Sequence, residues 1–308
     1  MVANKGIITG LDVGTSTIRI VMGQQLPDGR LKIIGAAETP SEGITRGSIS
    51  SIEDAVSCIS ETIEKCERMT GQRIDKMIIG MSGSHIKTVN SKGVVAVAKA
   101  NEQVEDSDTE RAIDVAESTT TMPNYEVLHV LPICYNLDDQ KNIKEPQGMS
   151  GVRLEVETQV VLSLSSQAKN LTKCIYRTGV DTEVVVFSIL ATCEAVLSAK
   201  QKELGVVVVD IGVATTLLAV YEEGNILHTA VLPIGSGHIT NDLAIGLKTS
   251  IETAEAVKID QASALADTVS KREEVDLHKY SEDEPKGSFV YKREVSEIAE
   301  ARMEEIFN

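Results

Sequence analysis

The sequence predicts an α/β protein with two similar lobes and a smaller domain inserted into the first lobe. The chain of 308 residues has no tryptophan and few other aromatic residues, so its cores must be built from Val, Ile, Leu and Ala. This composition suits strands packed under helices. A short motif of Asp, Gly and Thr also occurs twice, near residue 12 and near residue 210, and each copy opens a strand pattern. The length is sufficient for two domains with separate cores.

The bulk composition excludes several classes of protein. The net charge of −16 argues against nucleic acid as a partner, because neutralising phosphates requires clustered Lys and Arg. The first ten residues lack the apolar run of a signal peptide, and no window of about 18 apolar residues predicts a membrane span. The five cysteines form no C-x-x-C pair, which predicts buried free thiols in a reducing compartment. We therefore predict a cytoplasmic or peripheral protein.

The repeated motif lies in the stretches "IITGLDVGTSTIRIVMG" and "VVVVDIGVATTLLAV". Aligning them pairs Asp12 with Asp210, Gly14 with Gly212 and Thr17 with Thr215. After each copy come an alternating strand pattern, a turn signal ("PDGR" or "EEGN") and another strand. Each copy therefore predicts a β-hairpin with an acidic residue at its entrance. An internal duplication of this kind indicates two similar lobes that face each other.

The chemistry of the motif predicts a phosphate site with a metal ion. The four valines before Asp210 read as a fully buried strand, and a buried carboxylate is costly unless it is compensated. A glycine after the strand lets backbone N–H groups approach a phosphate, and a Thr or Ser hydroxyl adds a donor. Mg²⁺ keeps several waters and takes one or two carboxylates. We expect Asp12 and Asp210 to hold a hydrated Mg²⁺ at a cleft between the lobes.

A pair of such hairpins resembles the actin-like ATPase superfamily, which has a duplicated ribonuclease H-like fold. The resemblance implies ATP and Mg²⁺ as ligands. It assigns to the two phosphate loops the residues Asp12, Gly14, Thr15, Ser16, Asp210, Gly212 and Thr215. One departure is that Val213 and Ala214 stand where the second loop of the family often has glycines. We expect tighter phosphate approach and poorer hydrolysis as a result.

Helix and strand patterns fill the region between the two motifs. Apolar residues at steps of three and four predict an amphipathic helix that Gly71 closes, and they are Ile52, Val56, Ile59, Ile63 and Cys66. A short buried strand, "KMIIGM", follows. Residues 84–163 then give a strand, a helix, a second strand, a loop rich in Gly and Pro, and a third strand. This order predicts an inserted domain that repeats neither lobe.

Four phrases of the sequence resemble the FtsA family of bacterial cell-division proteins, a branch of the actin-like superfamily: "SEGITRGSI", "VLHVLPICYNLD", "EPQGMSGVRLE" and "ELGVVVVDIG". The resemblance implies four subdomains. These are subdomain 1A at 1–83 and 164–196, the inserted subdomain 1C at 84–163, a partial subdomain 2A at 197–230, and subdomain 2B at 231–308.

The resemblance also implies a function without catalysis. Members of this family bind ATP, self-associate into actin-like filaments and tether filaments of the tubulin-like protein FtsZ, the Z ring, to the cytoplasmic face of the membrane at the division site. Subdomain 1C is expected to contact neighbouring subunits and later division proteins. We therefore expect an ATP-binding structural protein, with hydrolysis weak at most.

The segment after the second hairpin contributes further expected site residues. Gly235 and Gly237 stand at a predicted helix start, where backbone donors could face the phosphates. The resemblance places the "AE-x-x-K" helix on the ribose and adenine side of the cleft, which assigns Glu255 and Lys258 to the nucleoside. The alternative is a solvated ion pair on a surface helix.

The last predicted helix places Val295, Ile298, Met303 and Ile306 on one apolar stripe. By resemblance, Arg302 and Glu305 on this helix receive the C-terminal tail of FtsZ. The alternative is a charged face without a partner. The chain has no Gly-Gly dipeptide for an adenosine loop and no basic membrane-binding helix near its end. We therefore expect a C-terminally truncated member of the family, with apolar surface exposed on the incomplete second lobe.

Two alternative functions on the same fold remain open. The chain could be a pilus-assembly relative with a similar insert. It could also be a small-molecule kinase in which Asp12 or Asp210 acts as a base and Glu194 orients a water molecule.

Overall fold

The computed structural model describes residues 6–98 and 103–308. Contacts divide the chain into two compact units. The first unit comprises Met1–Asp210 and Leu217–Leu232, and the second comprises Ile211–Thr216 and Pro233–Asn308. Both helices and sheets occur, so the predicted α/β class is confirmed.

The chain from residue 6 to residue 232 contains three groups of elements. The first group is β1 (Ile7–Val13), β2 (Thr17–Gln25), β3 (Leu31–Pro40), β4 (Ile44–Thr45), β5 (Ser48–Ile49), α1 (Ile52–Thr70) and β6 (Lys76–Met81). The insert contains β7 (Ile86–Ala96), α2 (Asp106–Thr119), β8 (Tyr125–Leu137), β9 (Gln140–Ile143) and β10 (Arg153–Leu164). The third group is α3 (Ser165–Arg177), β11 (Asp181–Phe187), α4 (Ser188–Val196), α5 (Ala199–Leu204), β12 (Val206–Ile211), β13 (Thr216–Glu222) and β14 (Asn225–Leu232).

The first sheet has the strand order β11-β6-β1-β2-β3. Its strands β1, β6 and β11 run parallel, whereas β1, β2 and β3 form an antiparallel meander. Alternate side chains on β1 and β2 are buried, among them Leu11, Ile18, Ile20 and Met22. The carboxyl ends of the three parallel strands lie at one edge of the sheet, where ligands bind in folds of this kind.

Helix α1 covers one face of this sheet and matches its prediction. Ser51 caps its start by accepting a hydrogen bond from the Asp54 N–H. Gly71 ends it in the left-handed region, with φ of 66°, and donates its N–H to Glu67. The buried face includes Ile59 and Cys66, as the spacing of apolar residues predicted.

The insert is a sheet of order β7-β10-β8-β9 with α2 against it. Gly93 on β7 permits this packing, because a Cβ there would lie 1.8 Å from the Ala112 carbonyl oxygen. The predicted order of strand, helix, strand, strand was wrong in one respect, because β9 is an additional short strand. It pairs antiparallel with β8 through a tight turn in which Asp138 has a positive φ of 52°.

The second hairpin forms a three-stranded sheet of order β12-β13-β14. The prediction that the four valines of β12 are fully buried was wrong. Val206 and Val208 pack on the core of the first unit, but Val207 and Val209 are 55% and 41% exposed. The reason is that successive side chains of a strand point to opposite faces, and only one face of this sheet is packed.

A buried glutamine links the insert to the second hairpin through hydrogen bonds. Gln159 of β10 is fully buried and accepts hydrogen bonds at Oε1 from the Thr229 N–H (2.7 Å) and the Thr229 hydroxyl (2.8 Å). Its Nε2 lies 3.1 Å from His228 Nδ1 and 3.4 Å from the Thr229 carbonyl oxygen. Thr88 of β7 also donates to that carbonyl at 3.0 Å. Two strands of the insert therefore hold β14 through specific polar contacts.

The second unit is mainly helical. It contains α6 (Ser236–Leu247), α7 (Ile251–Gln261), β15 (Glu274–Asp276), β16 (Phe289–Tyr291) and α8 (Lys292–Phe307). The predicted apolar stripe of α8 faces this unit's core, in which Val295 and Ile306 are buried beside Leu243 and Val257. Its Ile298 and Met303 pack at the margin of that core.

All five cysteines are free thiols. Cys66, Cys174 and Cys193 are buried, as predicted, whereas Cys58 and Cys134 are only partly buried. Across the described ranges, none of the helices has the length and the apolar character that crossing a membrane requires.

We predict that Gln159→Leu lowers the free energy of unfolding by about 1–3 kcal/mol, because the Thr229 N–H would remain buried without an acceptor. Urea denaturation followed by circular dichroism measures this change. Thr88→Val is the matched control. It removes one bond to a carbonyl that retains Gln159 Nε2, so its effect should be smaller. Equal effects of the two variants would contradict a specific role for Gln159.

Candidate functional site

The two acidic motifs fold into the same local structure. In the first loop the Gly14 N–H donates to the Thr17 carbonyl oxygen at 3.2 Å, and in the second the Gly212 N–H donates to the Thr215 carbonyl oxygen at 2.9 Å. A Cβ at Gly14 would lie 2.6 Å from the carbonyl oxygen it faces, and one at Gly212 would lie 3.0 Å away. Glycine is therefore needed for the tight turn in the first loop and favoured in the second.

Asp12 and Asp210 stand near the carboxyl ends of β1 and β12 and influence each other electrostatically. The pKa of Asp12 is raised, first because neighbouring atoms displace water from the carboxylate. Arg19 opposes this rise, and the negative charge of Asp210 adds to it. The Asp12 side chain keeps a side exposed to solvent, which moderates the effect. Arg19 is itself paired with Glu38 at 3.2 Å, so it compensates Asp12 only in part.

Two residues beside Asp12 were not predicted from the sequence. A Cβ at Gly80 of β6 would lie 3.0 Å from Ser188 Oγ and 3.3 Å from Asp12 Oδ1. Gly80 therefore leaves room for both groups. Ser188 begins α4 directly after β11, and its nearness to Asp12 slightly favours the charged carboxylate. No sequence motif marks these two residues. Only the strand order could have revealed them, because the parallel strands next to β1 end at the same edge of the sheet.

The first loop offers backbone donors to a ligand. The N–H groups of Thr15 and Ser16 make no hydrogen bond within residues 6–98 and 103–308. The Thr15 hydroxyl accepts from the Gly47 N–H at 3.1 Å and keeps its own hydrogen available. The Ser16 carbonyl accepts from the Ser41 N–H at 3.0 Å, which fixes the loop. Successive free N–H groups of this kind form an anion-binding concavity.

Buried polar atoms without a partner gather around the first loop. Within the described part of the chain, four buried side-chain atoms have no hydrogen-bond partner, namely Ser41 Oγ, His85 Nε2, Gln167 Oε1 and Ser188 Oγ. Ser41 adjoins the loop through Ser16, and Ser188 faces Asp12. His85 and Gln167 line a pocket that also includes Val13 and Gly47. Such atoms are rare in native proteins and indicate water, an ion or a ligand.

The glycines predicted at the start of α6 have protein partners for their N–H groups. The Ser236 N–H donates to the Gly212 carbonyl oxygen and the Gly237 N–H to the Val213 carbonyl oxygen, both at 2.8 Å. The Gly235 N–H donates to His238 Nδ1 at 3.1 Å. A Cβ at Gly235 would lie 2.4 Å from the Gly212 carbonyl oxygen. These glycines thus allow α6 to begin directly against the second loop.

Glu255 and Lys258 lie together on α7, as their spacing predicted. Lys258 is only 14% exposed and donates to Glu255 at 2.5 Å, to the Thr240 hydroxyl at 2.9 Å and to the Ser236 carbonyl oxygen at 3.4 Å. The Thr240 hydroxyl also donates to Glu255. The pair is therefore not a solvated surface pair, because it ties α7 to the start of α6.

The two aspartates fit a hydrated divalent cation. Within residues 6–98 and 103–308, no three His, Cys, Asp or Glu side chains converge on a point that could enclose a metal ion. Mg²⁺ requires fewer protein ligands, because it keeps several waters and binds through one or two carboxylates plus phosphate oxygens. Asp12, whose charge Arg19 compensates only in part, and Asp210 supply such a pair, and the cation would neutralise both.

Comparison with protein families decides the identity of the chain. A family described as "SHS2 domain inserted in FTSA" matches residues 83–162, and one described as "Cell division protein FtsA" matches residues 207–296. Cell division protein FtsA of Pseudomonas aeruginosa is 36% identical over 301 residues, which are 98% of this chain and 71% of that protein. The chain belongs to the FtsA family of cell-division proteins.

Other FtsA proteins are similarly related. That of Escherichia coli strain K12 is 33% identical over 99% of this chain and 72% of its own length. That of Bacillus subtilis strain 168 is 35% identical over 98% of this chain and 68% of its own length. These matches confirm the predicted family.

Solved structures confirm the actin-like fold predicted for this FtsA-family chain. The PilM–PilN type IV pilus biogenesis complex aligns with a TM-score of 0.62 at 16% identity, covering 82% of this chain and 69% of that chain. MreB5 of Spiroplasma citri bound to ADP aligns with a TM-score of 0.51 at 12% identity, covering 99% and 77%. At these identities the likeness concerns the fold alone.

Arg302 and Glu305, the residues predicted to receive an FtsZ tail, lie next to each other on α8 of this FtsA-family chain. Arg302 forms a two-pronged ion pair with Asp242 of α6, at 2.6 Å and 3.0 Å, and also contacts Glu305 at 2.5 Å. Asp242 therefore holds the guanidinium, and Glu305 remains largely exposed. Glu194, considered for the kinase alternative, is exposed and pairs with Lys202 at 2.5 Å.

A neutral histidine of the insert supports the segment that carries Ser188. His129 Nε2 accepts the Phe187 N–H at 3.0 Å, and burial lowers the pKa of His129. Protonation would turn Nε2 into a donor and remove this bond. His129 contributes its full share to the free energy of unfolding above pH 6.5, which is about the pKa of histidine in the unfolded chain. This contribution falls as the pH drops from there through the lowered pKa of His129 in the folded protein.

We therefore predict that wild-type protein loses more stability between pH 7.5 and pH 5 than His129→Gln does, because the Gln carbonyl accepts the Phe187 N–H at both pH values. Urea denaturation at the two pH values measures the difference. The pKa of His85 is lowered by burial as well, but His85 is present in both proteins and its effect cancels. An equal loss of stability in the two proteins would contradict the role of His129.

Proposed function

We propose that this FtsA-family chain binds Mg-ATP through its two acidic loops. The observation that carries the proposal is that Asp12 and Asp210 stand at the ends of two strands followed by the same glycine turn, with the charge of Asp210 acting on Asp12. Asp12 and Asp210 would hold the hydrated cation. Backbone N–H groups and hydroxyls of the loops would bind phosphate oxygens, with Thr15 and Ser16 in the first loop and Thr215 in the second. Gly14 and Gly212, whose N–H groups close the two turns, would let the phosphates approach the backbone closely.

Further features support the first loop as the main phosphate contact. Its Thr15 and Ser16 N–H groups are free of protein acceptors in the part of the chain that the structure describes. In the same unit, Ser188 Oγ is buried beside Asp12 without a partner. The proposed contributions of Gly235, Gly237, Glu255 and Lys258 are indirect, because their polar groups shape the second loop and the start of α6.

Bound nucleotide would act as a switch in this proposal. A ligand shifts a conformational equilibrium by its differential affinity for the two states, so ATP can favour one state without being hydrolysed. We propose that the chain is a structural ATP-binding protein that self-associates into actin-like filaments. ADP and AMPPNP are suitable ligands for binding titrations, since MreB5 of Spiroplasma citri has been solved with each of them.

The expected result for nucleotide binding is a loss of affinity for Mg-ATP of at least roughly tenfold in Asp210→Asn, equivalent to about 1.4 kcal/mol. Removing one carboxylate leaves the cation with weaker attachment, so affinity for ATP without Mg²⁺ should change little. Isothermal titration calorimetry measures both affinities. Asp28→Asn in the exposed β2–β3 turn is the matched control. Absence of Mg-ATP binding by the wild-type chain would reject the proposed site.

We also propose that the second unit binds the C-terminal tail of FtsZ at α8, and that the protein thereby tethers FtsZ filaments at the cytoplasmic face of the membrane. Subdomain 1C, at 84–163, would recruit later division proteins. The support for the tail site is the arrangement of charges, since Asp242 fixes Arg302 while Glu305 is accessible to a peptide.

Fluorescence anisotropy with a labelled FtsZ tail peptide tests this partner. Glu305→Ala should weaken binding about fivefold or more, because a charged contact at an interface contributes roughly 1 kcal/mol. Glu304→Ala, on the same helix and also exposed, is the control and should bind like the wild type. Identical affinities for the wild type, Glu304→Ala and Glu305→Ala would contradict this surface as the tail site.

A further inference from the structure

The pocket beneath the first loop contains two of the buried polar atoms that have no partner. Its lining combines apolar side chains with His85 and Gln167, and the space open to the centre of a water molecule is about 10 Å³. This is about the minimum volume that one ordered water molecule needs. His85 Nε2 and Gln167 Oε1 both lack a hydrogen-bond partner within the described residues. Leaving either atom unsatisfied would cost free energy.

The walls of this pocket are fixed by close backbone packing. A Cβ at Gly47 would lie 2.6 Å from the Gly83 Cα, and one at Gly83 would lie 2.6 Å from His85 Nδ1. Both glycines have positive φ values, of 71° and 146°. The β4–β5 turn and the segment just before the insert therefore pack backbone to backbone, directly beside the His85 ring.

The chemistry of the two atoms selects water as the occupant. Gln167 Oε1 is an acceptor only, so it requires an O–H or N–H donor. His85 Nδ1 lies 3.4 Å from the Ser48 hydroxyl, which leaves Nε2 directed to a different partner. A water molecule can donate to Gln167 Oε1 and at the same time accept from or donate to His85 Nε2, whichever tautomer is present.

We propose that one ordered water molecule occupies this pocket and bridges His85 Nε2 and Gln167 Oε1. The water joins two parts of the first unit, namely the start of the insert, which carries His85, and helix α3, which carries Gln167. It lies against the turn whose Gly47 N–H donates to Thr15. It is an integral part of the support of the first loop, distinct from the waters expected around a cation at Asp12.

The test is a crystal structure at a resolution that shows ordered water, together with the NMR cross-relaxation between water and the His85 ring. The wild type should show a density peak within about 2.6–3.2 Å of both atoms and a long-lived water signal at the ring. Gln167→Met, which has similar volume and no polar amide, should lose the peak and reduce the cross-relaxation to background. Gln24→Met, at an exposed position of β2, should retain both.

Two results would overturn the proposal. One is an empty pocket in the wild type, with no cross-relaxation at His85. The other is a water peak of equal occupancy in wild type and in Gln167→Met, which would mean that Gln167 does not hold it. Nucleotide binding enters neither measurement, so the result is independent of the proposed ATP site.

Discussion

The electrostatic relation between Asp12 and Asp210 is the constraint on which the architecture of the site depends. Two carboxylates at strand ends raise each other's free energy when both are charged, and a single partly engaged arginine compensates only one of them. The folded state tolerates the repulsion between the two carboxylates because both strands are held by other contacts. One strand lies in a five-stranded sheet, and the other lies in a sheet that is hydrogen-bonded to the insert. The negative charge that the arginine does not compensate is available to a cation.

Glycine determines how closely the surrounding backbone can approach. The turns at Gly14 and Gly212 repeat the same N–H to carbonyl bond after each acidic strand. Gly80 gives space to the Asp12 carboxylate and the Ser188 hydroxyl, and Gly47 packs against Gly83 beneath the loop. A side chain at Gly14 or Gly47 would collide with neighbouring backbone, and one at Gly80 or Gly212 would be crowded by its neighbours.

Much of this fold was predictable because its signals are local. The repeated motif, the apolar spacing of α1 and its Gly71 cap, and the stripe on α8 all depend on residues close in sequence. The exposure of Val207 and Val209 was not predictable in the same way, because a run of valines does not say how many faces of a sheet are covered. Whether Lys258 is solvated or half-buried likewise depends on the packing of α6 against α7.

Only part of the site could be predicted, because its other residues are brought together by the fold and not by nearness in the sequence. Motif residues such as Asp12 and Asp210 can be recognised from the repeat alone. Ser188 and Asp242 belong to no motif, and only the topology brings them to Asp12 and to Arg302. The same holds for Gln159 and His129, whose partners lie far away in the sequence. Sequence periodicity carries no information about such pairs.

The most direct measurement of the central claim is the pKa of Asp12, from the pH dependence of its carboxyl ¹³C shift in wild-type protein and in Asp210→Asn. The account predicts a lower Asp12 pKa in the variant, because the neighbouring negative charge is removed while the surroundings of Asp12 stay the same. An unchanged Asp12 pKa would mean that the two carboxylates do not sense each other, and that would contradict a shared cation site.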